Sequence, residues 1–148
     1  ALGADLTVRT LDDIIADRVK PVPQDSVPAS ELRPAPKIFK ETCRIDRNQP
    51  SVRVRDFIRG LSPYPAAWTV LRSPDGRECD FKIFDTEIVD GATVQTPGNV
   101  RCDGKRFIEV STADGALRLL EVQAAGKKRM PVGSFLCGND LSDCCVFE

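Results

Sequence analysis

The densest reactive charge in this chain is the run Gly126-Lys127-Lys128-Arg129-Met130. Three adjacent cations repel one another and favour an anion as neighbour over tight packing. A second basic stretch follows a proline-rich segment and carries Lys37, Lys40, Arg44 and Arg47. A third is the predicted helix with Arg53, Arg55 and Arg59, of which Arg55 and Arg59 fall in the last turn and could face a ligand. Cations of this kind neutralise phosphates and release counterions, which gives affinity without base readout. The competing reading is a set of solvated loops and one solvated helix face.

What is missing narrows the chemistry. The 148 residues hold no histidine, so the commonest general base and the usual triad base are absent. No P-loop, G-x-G-x-x-G or G-x-S-x-G run occurs, and no paired-carboxylate motif stands out. The six cysteines contain no C-x-x-C pair, so a metal site is not expected. With no export signal in view, Cys43, Cys79, Cys102, Cys137 and the vicinal Cys144-Cys145 read as reduced thiols, and the setting as cytoplasmic. No apolar run is long enough to span a membrane. The net charge is −1, but residues 33–129 carry +5 between termini of −3 each, which suits an anionic partner for the middle of the chain.

The elements that must position these cations follow from periodicity. Leu2, Leu6, Leu11, Ile14 and Ile15 predict an amphipathic helix over residues 1–18, with Thr10 able to bond back into the preceding turn. Five prolines (Pro21, Pro23, Pro28, Pro34 and Pro36) make residues 19–37 a semi-rigid linker. Asn48 or Gln49 is the expected cap of the next helix, with Pro50 in its first turn, Val52, Phe57 and Ile58 buried, and Gly60 as its left-handed end. Pro63 and Pro65 then turn the chain and deliver Trp68 into a core.

From residue 66 the pattern is β. Strands are expected at 68–71, 78–89 (one bent or two short), 99–102, 107–110 and 116–122. The turns between them are Ser73-Pro74-Asp75-Gly76, Asp90-Gly91-Ala92, a two-residue Asp103-Gly104 hairpin and Ala113-Asp114-Gly115. A short apolar turn through Val132, Phe135 and Leu136 closes at Gly138. The fold class is mainly β, a small five- to six-stranded OB-like barrel preceded by a helix, with an N-terminal helix and a proline-rich linker.

Several stretches resemble methionyl-tRNA formyltransferases, in that family's order. They are Gly3-Ala4-Asp5-Leu6 with Thr10-Leu11, Pro21-Val22-Pro23-Gln24-Asp25, Ala35-Pro36-Lys37-Ile38, Arg44-Ile45-Asp46, and Arg59-Gly60-Leu61-Ser62-Pro63-Tyr64-Pro65-Ala66-Ala67-Trp68. Asp114-Gly115-Ala116-Leu117, Leu119-Leu120-Glu121-Val122-Gln123, the Gly126 to Met130 run and Phe135-Leu136 complete the set. The resemblance implies four parts. Residues 1–18 are the last helix of an N-terminal catalytic domain, 19–42 the interdomain linker, 43–138 an OB-like tRNA-binding domain, and 139–148 a flexible tail. It implies transfer of a formyl group from 10-formyltetrahydrofolate to methionyl-tRNA by the parent enzyme. It places no catalytic residue and no cofactor in this chain, and makes the missing catalytic domain and the initiator tRNA its partners. Where the family commonly has tryptophan after Ile-Asp, this chain has Arg47.

On that basis the expected RNA-binding residues are Lys127, Lys128, Arg129, Arg59, Lys37, Lys40 and Arg44, with Lys105 and Arg106 of second rank. Backbone shape rather than base stacking is the expected recognition mode. Two other classes compete: the C-terminal domain of a sugar-nucleotide formyltransferase, and a structural module that self-associates through residues 1–18.

Overall fold

A computed structural model describes residues 2–73, 76–91, 95–139, 141 and 146–147. The chain divides into two compact units, Ala1–Lys37 and Ile38–Glu148.

The first unit holds α1 (Leu2–Ile15) and two single 3-10 turns, Gln24–Ser26 and Ala29–Glu31. Thr7 and Thr10 hydroxyls donate to the carbonyls of Gly3 and Leu6, both at 2.8 Å. The helix stops where Asp17 turns left-handed (φ 55°). Arg18 N–H reaches the Asp13 carbonyl (2.9 Å) and Asp17 N–H the Ile14 carbonyl (3.1 Å), the paired bonds of a Schellman end. None of α1 is buried.

The second unit starts before residue 43, because Trp68 fixes the preceding chain: its indole N–H donates to the Lys40 carbonyl at 2.7 Å. Helix α2 (Ser51–Leu61) follows and buries Ser51, Val54, Ile58 and Leu61, a 3-4-3 spacing that sets one face on the sheet. Val52 and Phe57, expected inside, lie on the flank and stay 49% and 36% exposed. The cap also differs from expectation. Neither Asn48 nor Gln49 caps α2; Asp114 does so from a distant turn, accepting from Ser51 N–H (2.7 Å) and Ser51 Oγ (2.8 Å). Gly60 lies inside α2. The left-handed residue is Ala66 (φ 74°), after a turn with cis Ser62–Pro63 and Tyr64–Pro65 bonds.

The sheet is antiparallel throughout. Its strands are β1 (Ala67–Arg72), β2 (Glu78–Val89), β3 (Val100–Cys102), β4 (Ile108–Ser111), β5 (Ala116–Ala124), β6 (Met130–Pro131) and β7 (Val146–Phe147). The order is β3-β4-β5-β2-β1-β7, with β6 on β5. β2 is one long strand whose register slips around Asp85. The Asp103-Gly104 turn is longer than a two-residue hairpin, since Cys102 pairs with Ile108. Asp103 explains this: its carboxylate collects the N–H groups of Lys105, Arg106 and Phe107 at 2.7–3.1 Å. Those bonds, Arg106's first, lower its pKa to about 2. Of the expected turns, Pro74, Asp75 and Ala92 lie outside the described residues.

The expected flexible tail contributes the closing strand. Phe147 pairs with Leu71 and Val146 with Arg72 on β1, while Val146 also bridges to Asn99. Phe147 N–H donates to the Gly98 carbonyl at 3.0 Å. The physical reason is the apolar Phe147 ring, 2% exposed and 5.3 Å from Phe81. Gly98 (φ 94°) permits this closure, because a Cβ there would fall 2.5 Å from the Phe147 carbonyl and 2.6 Å from the Arg47 side chain. Arg47 thus packs its stem at the barrel seam. Helix α3 (Val132–Leu136) buries Val132, Phe135 and Leu136 against the same core. Cys43, Cys79, Cys102 and Cys137 are free thiols; Cys144 and Cys145 lie outside the described residues.

Candidate nucleic-acid interface

Three neighbouring strands build one cationic face. Their register sets Trp68 of β1 opposite Lys82 of β2, and Lys82 opposite Gln123 of β5. Directly opposed residues share a face, so the three form one row across the sheet. The alternate residues Phe81 and Ile83 point inward and are buried.

Trp68 holds one end of the row. It is half-buried rather than a core residue, and it works as an anchor. Besides the indole bond to Lys40, its main-chain carbonyl accepts from Ile45 N–H at 2.9 Å. This brings Lys40 Nζ to 5.1 Å and Arg44 Cζ to 5.7 Å from the ring centroid. Lys40 also approaches Asp80 at 3.4 Å, a solvent-exposed pair of small worth.

The turn between β5 and β6 holds the other end. Ala125 N–H donates to the Asp80 carbonyl (2.9 Å), and Gln123 Nε2 to the Lys127 carbonyl (2.8 Å). Lys127 and Lys128 are exposed and have no acidic partner among the described residues. Arg129 differs from them. It is paired with Glu121 and stacks over Phe84, its Cζ 4.3 Å from the ring centroid. The hydrogen bond from Arg129 holds the Glu121 carboxyl below its usual range. Arg129 therefore fastens the turn, and the two lysines project from it.

The remaining expected residues are dispersed. Arg59 stands in the last turn of α2, with a 78% exposed side chain and a loose 3.5 Å contact to Asp56, which Arg55 approaches at 3.0 Å. Arg55, Ile58, Arg59, Asp85 and Thr86 line a depression of about 250 Å³ between α2 and β2. Lys37 is the last residue of the first unit. Lys105 and Arg106 occupy the β3–β4 turn, and β5 separates β4 from β2.

A second group of cations lies on β3, β4 and β5. The carboxylate of Glu109, 3% exposed, receives Arg101 on one oxygen and Arg118 on the other, the latter at 2.7 Å. Burial pushes the Glu109 carboxyl up, but the two guanidiniums outweigh it and the net shift is downward. Both guanidiniums flank the Phe107 ring at 5.2 and 5.6 Å, and Arg118 also meets Glu87 at 3.2 Å.

Sequence reasoning missed Lys82. The alternation Asp80-Phe81-Lys82-Ile83 shows that Lys82 faces outward, but its neighbours depend on the register. An open groove of about 850 Å³ runs between residues 42–50 and α2, and includes Asp46 and Asp56. Asp46 is tied to Gln49 and Asn48, and these bonds lower its pKa. Asp56 is tied to Arg55 and Arg59.

Residues 37–140 match the family described as formyl transferase, C-terminal domain. Among curated proteins, the methionyl-tRNA formyltransferase of Bacteroides fragilis is 49% identical over 143 residues, covering 96% of this chain and 44% of its own length. That of Phocaeicola vulgatus is 51% identical with the same coverage, and that of Porphyromonas gingivalis 39% identical over 95% of this chain. The chain thus spans less than half the length of these relatives. Among solved structures, a HypX variant from Aquifex aeolicus superposes with a TM-score of 0.59 at 20% identity, covering 93% of this chain and 24% of that one, a likeness of fold. The match over residues 37–140 shows that this chain belongs to the formyl transferase C-terminal domain family.

Proposed function

We propose that this chain is the RNA-holding part of a methionyl-tRNA formyltransferase. Initiator methionyl-tRNA lies with its backbone across the face of β1, β2 and β5. The catalytic part of the enzyme moves a formyl group from 10-formyltetrahydrofolate to the methionyl amine, in the cytoplasm where translation starts. This chain supplies no cofactor site in that scheme. Its work is to neutralise phosphates and fix the orientation of a large substrate. The names of the similar enzymes support formyl transfer and methionyl-tRNA, while 10-formyltetrahydrofolate as donor and the initiator species follow from the family resemblance.

The observation that carries the reading is the cationic row itself. Lys40, Arg44, Lys82, Lys127 and Lys128 share one face, and the last three have no acidic partner among the described residues. No described helix is long and apolar enough to cross a membrane.

Helix α1 supports a second interface. Val8, Leu11, Ile14 and Ile15 are all more than half exposed and fall on one side of the helix, an apolar stripe that needs a cover. The catalytic part of the enzyme is the proposed cover, and a second copy of this chain is the alternative. Light scattering across a concentration series decides between them: a constant monomer mass removes self-association.

Binding of this chain to initiator tRNA across a salt series tests the main reading. Affinity is expected to fall steeply with salt, with other folded tRNAs bound similarly. Absence of binding even at low salt would remove this face as an independent RNA site.

A further inference from the structure

Lys40 and Arg44 stand on either side of the single 3-10 turn Glu41–Cys43, and both side chains end against one ring, that of Trp68. The turn is fixed at two points. Cys43 is 1% exposed, and its thiol and the Thr42 hydroxyl both donate to the Phe39 carbonyl, at 3.2 and 2.8 Å. The Lys40 carbonyl accepts the Cys43 N–H at 3.0 Å and the Trp68 indole N–H at 2.7 Å, which occupies both of its lone pairs. Beyond the turn, Arg44 bridges to the Trp68 main chain, and Ile45 N–H donates to the Trp68 carbonyl at 2.9 Å. Side chain and main chain of Trp68 thus both grip the segment that carries the two cations.

The charges themselves are only lightly engaged. Lys40 pairs with Asp80 at 3.4 Å, between exposed side chains, where water and salt screen the attraction. Among the described residues, Arg44 meets the ring and no carboxylate. Yet Lys40 Nζ lies 5.1 Å and Arg44 Cζ 5.7 Å from the same centroid. Two cations gathered against one ring repel each other, and an anion between them relieves the repulsion. A phosphodiester fits that place. A guanidinium takes its charged oxygens through paired N–H donors, and an ammonium adds a compact point charge.

We propose that Trp68 is a positioning residue of the RNA face, whose ring and N–H together hold Lys40 and Arg44 as a two-pronged clamp for one backbone phosphate. The proposal rests on the RNA-holding reading and gives a neutral side chain a part in it. Tryptophan suits the task better than phenylalanine, which has a ring and no donor for the Lys40 carbonyl, or leucine, which has neither.

Neutral substitutions at Trp68 are the test, because they alter no charge. Affinity for initiator tRNA is read by fluorescence anisotropy across a salt series, at a temperature where circular dichroism shows each variant folded. Trp68→Leu should lower the slope of log affinity against log salt by about two, the loss expected for Lys40→Ala with Arg44→Ala. Trp68→Phe keeps the ring and loses the N–H that fixes Lys40, so its slope should fall by about one. Adding Trp68→Leu to the double alanine variant should change affinity by less than about twofold, since the ring then has nothing to hold. A tryptophan that only supports the fold would lower the melting temperature and leave the slope alone. If Trp68→Leu does not fold, Trp68→Phe decides. Wild-type binding with an unchanged slope in the folded variant overturns the clamp and leaves the RNA-holding reading in place. If the wild type ignores tRNA at low salt, emission from Trp68, the single tryptophan of the chain, is followed during titration with tripolyphosphate. A shift that Lys40→Ala with Arg44→Ala abolishes keeps the clamp and removes its RNA source. Absence of any shift removes both.

Discussion

The barrel carries two groups of cations, and they differ in how their charge is used. On β3, β4 and β5, Arg101 and Arg118 converge on one buried carboxylate, Glu109, and Arg118 takes Glu87 as well. On β1, β2 and β5, Lys82, Lys127 and Lys128 meet no acid among the described residues, and Lys40 meets only the exposed Asp80. The first group resembles a rivet and the second a surface awaiting a polyanion. Counting basic residues would not separate them. The distinction lies in where the acids stand, and for Glu109 that depends on the pairing of Glu109 with both Arg101 and Arg118 across three strands. Arg129 shows the rule at the scale of one turn: it sits beside two lysines with no acidic partner among the described residues, yet Glu121 and Phe84 commit it to structure.

The sharpest way to break this contrast is to remove the rivet. Glu109→Gln keeps the shape and leaves two guanidiniums facing each other over Phe107. Since both also reach solvent, the expected loss is about 1–2 kcal/mol rather than the larger cost of a fully buried pair. The Glu109 pKa is lowered in the folded protein, so its contribution is present above the ordinary glutamate range and disappears as pH falls through the folded value. The melting-temperature gap between wild type and Glu109→Gln should therefore be full at pH 7 and shrink below about pH 4. Initiator tRNA binding at a temperature where both are folded should not change. A large binding loss would show that the rivet, too, faces RNA.

The opposite experiment addresses the open face. Lys127→Ala with Lys128→Ala should leave thermal melting unchanged, because neither side chain has an acidic partner among the described residues. Their turn is held by Gln123, by Ala125 and by Arg129 instead. The slope of log affinity against log salt should fall by about two, one for each phosphate contact removed. An unchanged isotherm beside an unchanged melt would take the turn out of the interface.

How much of this was legible in the sequence depends on the range of the interactions. Alternation along β2 and β5 and the turn residues gave the strands, because a half-buried strand repeats every two residues whatever it pairs with. The cationic turn was visible as three adjacent charges. Lys82 was not singled out, since its place beside Trp68 is a matter of register. The cap of α2 was misread because the nearby Asn48 and Gln49 looked sufficient, while the carboxylate comes from Asp114, 63 residues away. The last strand was read as a tail because two residues, Val146 and Phe147, carry no period; only the slot between β1 and Gly98 gives them a partner. Trp68 was expected inside, and its polar N–H explains why it stays at the rim, where the Lys40 carbonyl satisfies it.

The smallest expected effect sharpens the boundary between the two groups. Lys105 and Arg106 are exposed cations like Lys127 and Lys128, and sequence reasoning placed all four in one set. Structure separates them, because their turn lies on the far side of β5 from β2, beside the riveted group. Asp103 also gathers three amides beneath that turn and keeps its negative charge there down to about pH 2. Lys105→Ala with Arg106→Ala should accordingly change initiator tRNA affinity less than twofold, about 0.4 kcal/mol, and leave the salt slope as it is. The same anisotropy series that reads the Lys127–Lys128 pair gives the comparison directly. Equal losses from the two pairs would mean that RNA wraps across β4 and β5, and that a buried acid does not mark where the interface stops.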